Sequence, residues 1–247
     1  MRRATRGWSS LSKSARPPSS VSSTSPRLRV VEIFTSLQGE GPFTGTRSVF
    51  VRLAGCDLRC PFCDTTYSLD PRTGKPIAIE EIAIIVERAR PSLVVITGGE
   101  PLLQRRGVNE LARLLTEQGY RMQLETNGTL PAPRPGEPLY AVHHVVSPKD
   151  VPVAVEGARL HPSWVEASRA TGRVWFKFLA STREHVEAIA VYVKEKGIPR
   201  DHVYIMPLTR DGMSMDELLK LHQQVAKLAL DYGFNFSPRL HLLLGLR

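Results

Sequence analysis

The chain has 247 residues, and 42% of them are apolar, enough for one large domain or two small ones around a substantial core. No apolar run approaches the roughly 18 residues needed to span a bilayer, so a soluble globular protein without a membrane partner is the expectation. The 33 basic and 24 acidic residues give a formal charge of +9, which at first suggests nucleic acid. Seven of those bases (Arg2, Arg3, Arg6, Lys13, Arg16, Arg27 and Arg29) precede the first acid, Glu32, and without them the balance falls to +2. The basicity therefore belongs mainly to an arm, read as solvated, and no nucleic-acid partner is expected.

That arm, residues 1–27, is rich in Ser, Arg and Pro and has too few apolar residues to repay the entropy of ordering. It reads as disordered. An organelle transit peptide or a start codon placed too early would look the same, whereas no apolar stretch of the kind a secretory signal needs follows it. A cytoplasmic location is the expectation for the rest.

From Leu28 the texture changes. Strands are expected near Arg29 to Thr35, Ser48 to Ala54, Leu93 to Thr97, Met122 to Glu125, Val142 to Ser147, Val174 to Phe178 and Val203 to Met206. Helix-period segments lie around Ile79 to Arg90, Asn109 to Gln118, Arg183 to Lys196 and Met215 to Tyr232. Repeated strand then helix implies an α/β fold with a parallel sheet and external helices, open or rolled into a barrel. With no internal repeat or low-complexity linker, residues 28–247 read as one domain.

In such folds the loops leaving the C-terminal ends of the strands converge on one face and carry the chemistry. The first candidate follows SVFVRLAG: Cys56, Cys60 and Cys63, all the cysteines of the chain, fall inside eight positions. A disulfide framework leaves an odd thiol. A structural zinc site uses the C-x2-C spacing of Cys60 and Cys63, but a second close pair is missing. Three thiolates at C-x3-C-x2-C can instead hold three irons of a [4Fe-4S] cluster, leaving the fourth open to a ligand. Further on, LVVITGGEP is an apolar strand ending in Thr97, Gly98, Gly99 and Glu100, where paired glycines let backbone approach a ligand closely.

The cysteine spacing, with Phe62 before the last thiol, resembles the cluster loop of the radical S-adenosylmethionine enzymes, and TGGEP is similar to their GGE motif. That likeness implies a partial, incomplete TIM-like βα barrel. The closer resemblance is to the 7-carboxy-7-deazaguanine synthase family. EIFTSLQGEGPFTGTRSVFVRLAGCDLRCPFCDTTYS resembles its N-terminal signature nearly end to end, and TGGEP, LETNG, VVSPK and LHLLLG follow in the family's order, over about Val30 to Arg247.

What the resemblance implies is specific. The cofactors are a [4Fe-4S] cluster on Cys56, Cys60 and Cys63, S-adenosyl-L-methionine, and Mg²⁺ at Thr65. Phe62, Cys63, Asp64, Gly99, Glu100, Ser147, Pro148 and Lys149 border S-adenosylmethionine. Leu37, Gln38, Gly39, Glu40, Arg52, Thr97, Glu125, His241 and the carboxylate of Arg247 take the pterin substrate. An amide, a carboxylate and open backbone in SLQGEG suit the alternating donors and acceptors of a pterin edge. Arg52, between apolar neighbours, needs an anion, either a structural carboxylate or the substrate's own. Glu125 at a strand end needs a donor such as the guanidine-like pterin edge. At Met206 some family members have glutamine, so an adenine contact there is packing or backbone.

In the family the reduced cluster cleaves S-adenosylmethionine to a 5′-deoxyadenosyl radical, which takes hydrogen from C6 of 6-carboxy-5,6,7,8-tetrahydropterin. The ring contracts with loss of ammonia to 7-carboxy-7-deazaguanine, on the way to queuosine and related 7-deazapurines. No protein side chain is a catalytic acid or base in this reading. A reductant such as flavodoxin or ferredoxin and a homodimer are the implied partners. Two rivals stand beside it: a radical activase acting on a partner protein's glycine, which LQGEG, Arg52 and ETNG disfavour, and a zinc-stabilised nucleic-acid module using the basic arm.

Overall fold

The structure is a computed structural model that describes residues 26–246; the arm through Ser25 and the terminal Arg247 lie outside the described residues. Among the described residues nine strands form one sheet in the order β3-β1-β2-β4-β5-β6-β7-β8-β9. They are β1 Arg27–Leu37, β2 Arg47–Leu53, β3 Lys75–Ala78, β4 Leu93–Gly98, β5 Met122–Thr126, β6 His143–Val146, β7 Val174–Ala180, β8 Val203–Pro207 and β9 Asn235–Phe236. Helices are α1 Ile79–Ala89, α2 Arg105–Glu117, α3 Ser163–Thr171, α4 Arg183–Lys196, α5 Met215–Asp231 and the single turn α6 Leu240–Leu243. β1 pairs antiparallel with β2 and β3, and every pairing from β2 through β9 is parallel.

All seven expected strands and four expected helices are present, with small shifts at their ends. β3, β9 and α3 are additional, as is the single turn α6. Each is short and weakly patterned: β3 is four residues beginning Lys-Pro, β9 is two residues, and α3 carries two serines, an arginine and a threonine in nine. α3 is anchored by tertiary contact instead, because Trp164 is fully buried and its indole N–H donates to the Leu130 carbonyl at 2.8 Å. α4 runs over its expected residues because both ends are marked: the Thr182 hydroxyl accepts the His185 N–H, and Gly197 takes the left-handed φ of 64° that stops the helix.

The strand period of two decides which side chains face the site. Along β2, Val49, Val51 and Leu53 pack into the main apolar core under the helices, whereas Phe50 and Arg52 turn to the central cavity. Along β7, Phe176 and Phe178 enter the core, and Lys177 and Leu179 face the cavity. The helices cover the outer side with Ile82 and Val86 from α1, Val108, Leu111 and Leu115 from α2, and Val186, Ile189 and Val193 from α4. No helix among the described residues is long and apolar enough to cross a membrane.

The sheet is not closed: β3 and β9 are its edges. The gap is bridged by irregular backbone, since Leu240 N–H donates to the Gly39 carbonyl at 2.9 Å and Gly41 N–H to the Ser237 hydroxyl at 2.7 Å. The result is a partial βα barrel whose open side is sealed by the turn after β1 and the segment before α6.

Candidate active site

The cavity is lined by the turn after β1, by the loop after β2, by the C-terminal ends of β4, β5 and β6, and by side chains of β7, β8 and the segment leading to α6. The cysteine loop is pinned at both ends. Gly55 N–H donates to the Ser68 carbonyl at 2.8 Å and Cys56 N–H to that of Leu69 at 3.1 Å, while a tight turn places Cys63 N–H 3.1 Å from the Cys60 carbonyl. The Asp57 carboxylate accepts from Asn127 Nδ2 at 2.8 Å and from the Thr129 hydroxyl at 2.5 Å, tying this loop to the turn after β5.

The end of β4 approaches that loop so closely that side chains are excluded. Gly98 has φ of 136°, and a Cβ there would overlap the Leu53 backbone; one on Gly99 would overlap the Gly55 carbonyl. Glu100 lies beneath this contact, fully buried. One carboxylate oxygen accepts the Leu102 N–H at 2.9 Å, the other the Asn127 N–H at 2.8 Å, and the Thr126 hydroxyl lies 2.9 Å from both. Burial pushes the Glu100 carboxyl up to about 7, against the pull of its hydrogen bonds from Asn127 and Leu102.

The cavity also holds a network of charges. Glu40 accepts from Lys177 Nζ at 2.6 Å on one oxygen and from Arg239 Nε at 3.1 Å on the other. Lys177 Nζ also lies 3.4 Å from Glu125, whose second oxygen accepts from Gln38 at 3.1 Å and Gln123 at 3.0 Å. Arg239 continues to Asp64 and to the Thr209 hydroxyl. Burial opposes ionisation of Glu40, but Lys177 and then Arg239 outweigh it and hold the carboxyl well below its usual range. Burial likewise opposes the charge on Lys177, and Glu125 and Glu40 more than restore it.

The sequence-derived residues come together here with few exceptions. Leu37, Gln38, Gly39, Glu40, Arg52, Thr97, Glu125 and His241 line the cavity together with Cys56, Cys60, Phe62, Cys63, Asp64, Thr65, Gly99, Ser147 and Lys149. Pro148 and Glu100 are not on the wall, and Arg247 lies outside the described residues. Arg52 finds the structural carboxylate that sequence reasoning left as one of its options: Nε donates to Glu32 at 2.7 Å, while the side chain still borders the cavity. Among the cavity residues missed are the two cations Lys177 and Arg239. Lys177 had a signal, a lone cation in VWFKFLA that repeats the logic of Arg52 in VFVRLAG. Arg239 had none, because its partners Asp64 and Glu40 are 175 and 199 positions away.

The cysteine loop suits an iron–sulfur cluster. Three soft sulfur donors, all partly buried, share one loop, and Cys56, Cys60 and Phe62 pack on an apolar patch of Leu58, Val155 and Ala158 that shields them from water. Burial pushes the Cys56 thiol up to about 11 and Cys60 in the same direction, so both favour the protonated thiol and only a bound metal would make them thiolates. Among the described residues no three His, Cys, Asp or Glu side chains converge closely enough to hold a single ion.

An open βα barrel with three thiols in the loop after its first parallel strand defines the class, and the radical SAM superfamily model matches residues 50–225. The chain belongs to that superfamily. Within it, the chain belongs to the 7-carboxy-7-deazaguanine synthase family. It is 61% identical over 236 residues to 7-carboxy-7-deazaguanine synthase of Hyperthermus butylicus, covering 96% of this chain and 100% of that relative. The enzyme of the same name from Pyrobaculum aerophilum is 41% identical over 223 residues, covering 90% and 96%. The fold is similar to the crystal structure of QueE from Escherichia coli, with a TM-score of 0.64 at 22% identity over 87% of this chain and 95% of that one.

Proposed function

We propose that this chain is a 7-carboxy-7-deazaguanine synthase, a radical S-adenosylmethionine lyase that contracts the ring of 6-carboxy-5,6,7,8-tetrahydropterin to 7-carboxy-7-deazaguanine with loss of ammonia, in queuosine and 7-deazapurine biosynthesis. One observation carries it: a three-thiol loop and a set of acceptors and donors fit for a pterin line one cavity. Cys56, Cys60 and Cys63 would hold the cluster. When bound, it supplies the single electron that cleaves S-adenosylmethionine and thereby starts the chemistry.

The chain's own residues bind, orient and shield. Glu40 stays ionised beside Lys177, and with Glu125 it offers acceptors to the guanidine-like pterin edge. Gln38 offers an amide from the same turn, and Arg52 directs a guanidinium toward the substrate carboxylate. Gly99, Ser147 and Lys149 form the wall on the S-adenosylmethionine side, where the exclusion of side chains at Gly98 and Gly99 leaves backbone exposed to a ligand. Glu100 shapes that wall from below by fixing the turns at Leu102 and Asn127. Phe34 and Phe50, stacked at 5.0 Å between ring centroids, line the cavity and displace water from it.

Mg²⁺ belongs to the same reading. Thr65 offers one hydroxyl at the cavity wall, so the ion would be completed by the substrate carboxylate and waters, as its preference for oxygen ligands requires. A cytoplasmic homodimer reduced by a flavodoxin or ferredoxin, with residues 28–247 as one domain whose first strand also takes in Arg27 of the basic arm, completes the proposal.

Anaerobic equilibrium binding tests the substrate assignment. The carboxylated tetrahydropterin should bind saturably, and the same pterin without its carboxylate should bind about tenfold more weakly, the order expected for a lost charge-assisted pair. Equal affinities would remove the carboxylate contact assigned to Arg52, and the absence of saturable binding by either compound would remove the pterin assignment.

A further inference from the structure

The turn after β1 and the cysteine loop after β2 leave neighbouring strands near one edge of an unclosed sheet, and β8 and β9 form the other edge. A buried guanidinium spans the gap. Arg239, 7% exposed, donates through Nε to Glu40 in the turn after β1, through Nη2 to Asp64 directly after the last cysteine, and through Nη1 to Thr209 after β8. Its fork geometry fits this task, since one planar group presents donors in several fixed directions, which an ammonium does not. Its backbone is fixed as well. His222, on α5, must carry its proton on Nδ1 because that nitrogen lies 2.6 Å from the Leu218 carbonyl, so Nε2 accepts the Arg239 N–H at 3.1 Å.

We propose that Arg239 is a positioning residue, a latch across the barrel seam that locks the substrate-reading turn and the cysteine loop into one register. The proposal rests on the pterin reading of Glu40. Its consequence is that the pterin and the cluster are not placed independently: releasing the latch lets both loops move. Cleavage of bound S-adenosylmethionine would then be uncoupled from the pterin: the adenosyl group would take its hydrogen from buffer or protein, and 5′-deoxyadenosine would be released without product.

The test compares full-length, cluster-loaded wild type with Arg239→Gln and Arg239→Lys. Amide hydrogen exchange is followed in segments 37–45 and 60–70, together with KM for the pterin, kcat, and the ratio of 5′-deoxyadenosine released to deazaguanine formed. Arg239→Gln should speed exchange in both segments, raise KM about tenfold and raise the ratio several-fold, with iron content unchanged. Arg239→Lys, which keeps the charge but not the fork, should fall between; if Arg239→Gln does not fold, the lysine variant carries the comparison. Faster exchange in one segment only, or an unchanged ratio with merely fewer active molecules, overturns the latch. A wild type that does not turn over the pterin would sink the functional reading instead, and the exchange data would still decide whether Arg239 couples the loops.

Discussion

Lys177, from the middle of β7, places its ammonium 2.6 Å from Glu40 and so ties the centre of the barrel to the turn after β1. With a side chain only 5% exposed, it is a buried cation shared by two carboxylates. Replacing it by methionine leaves Glu40 with Arg239 alone and takes from Glu125 its ammonium partner. Lys177→Met should destabilise the fold by about 3–5 kcal/mol, the order for removing one partner of a buried pair. Chemical denaturation reads this loss, and Lys177→Met combined with Glu40→Gln should recover part of it. A single variant as stable as wild type would contradict the pairing.

The clamp from Asn127 and Thr129 onto Asp57 predicts a different behaviour, because it holds the cysteine loop without contributing a sulfur. Asn127→Ala should assemble the cluster but lose iron to a chelator several-fold faster than wild type, since one anchor of the loop is gone. Unchanged release kinetics would show that the loop is held elsewhere.

Gly98 and Gly99 separate conformational from steric demands. Gly98→Ala meets both a positive φ and the Leu53 backbone, whereas Gly99→Ala meets the Gly55 carbonyl and the Cys56 Cβ without a positive φ. The first should cost about 3 kcal/mol or more, and the second less while displacing the loop that carries Cys56. Thermal melting with iron determination checks the order; the reverse ranking would contradict it.

Much of this arrangement is legible in the chain because it is local. α4 and the central strands follow from period and end signals, and the cysteine loop and TGGEP stand out where an apolar strand stops. β3 and β9 are set by pairing with β1 and β8, a relation that a four- or two-residue segment does not encode by itself. Glu100 shows a second limit. Its motif marks it for attention, but only the fold reveals that its oxygens are engaged by the turn after β5. Arg239 shows the third, since nothing near it in sequence announces the distant carboxylates that it joins.

Acid sensitivity follows from the histidines. Burial, with repulsion from His143, Arg173 and Arg105, pulls His144 down to about 3, and burial lowers His143, His222 and His241 as well. Below the ordinary value of 6.5 the unfolded chain therefore binds protons that the folded chain refuses. Stability is full above that pH and falls as pH drops, for His144 down to about 3. Urea midpoints across this range should decline, and less steeply in His144→Phe, whose ring can keep the contact with Trp164 now seen at 5.3 Å. Equal slopes for the two proteins would contradict the assignment to His144.

The most direct measurement is anaerobic incubation of the reconstituted, reduced protein with S-adenosylmethionine, Mg²⁺ and 6-carboxy-5,6,7,8-tetrahydropterin, followed by mass spectrometry. The account requires 7-carboxy-7-deazaguanine and ammonia in equal amounts, with both absent when Cys60 is replaced by alanine. A protein with a full complement of iron and sulfide that returns the pterin unchanged, or a Cys60→Ala variant that retains iron and turnover, would contradict it.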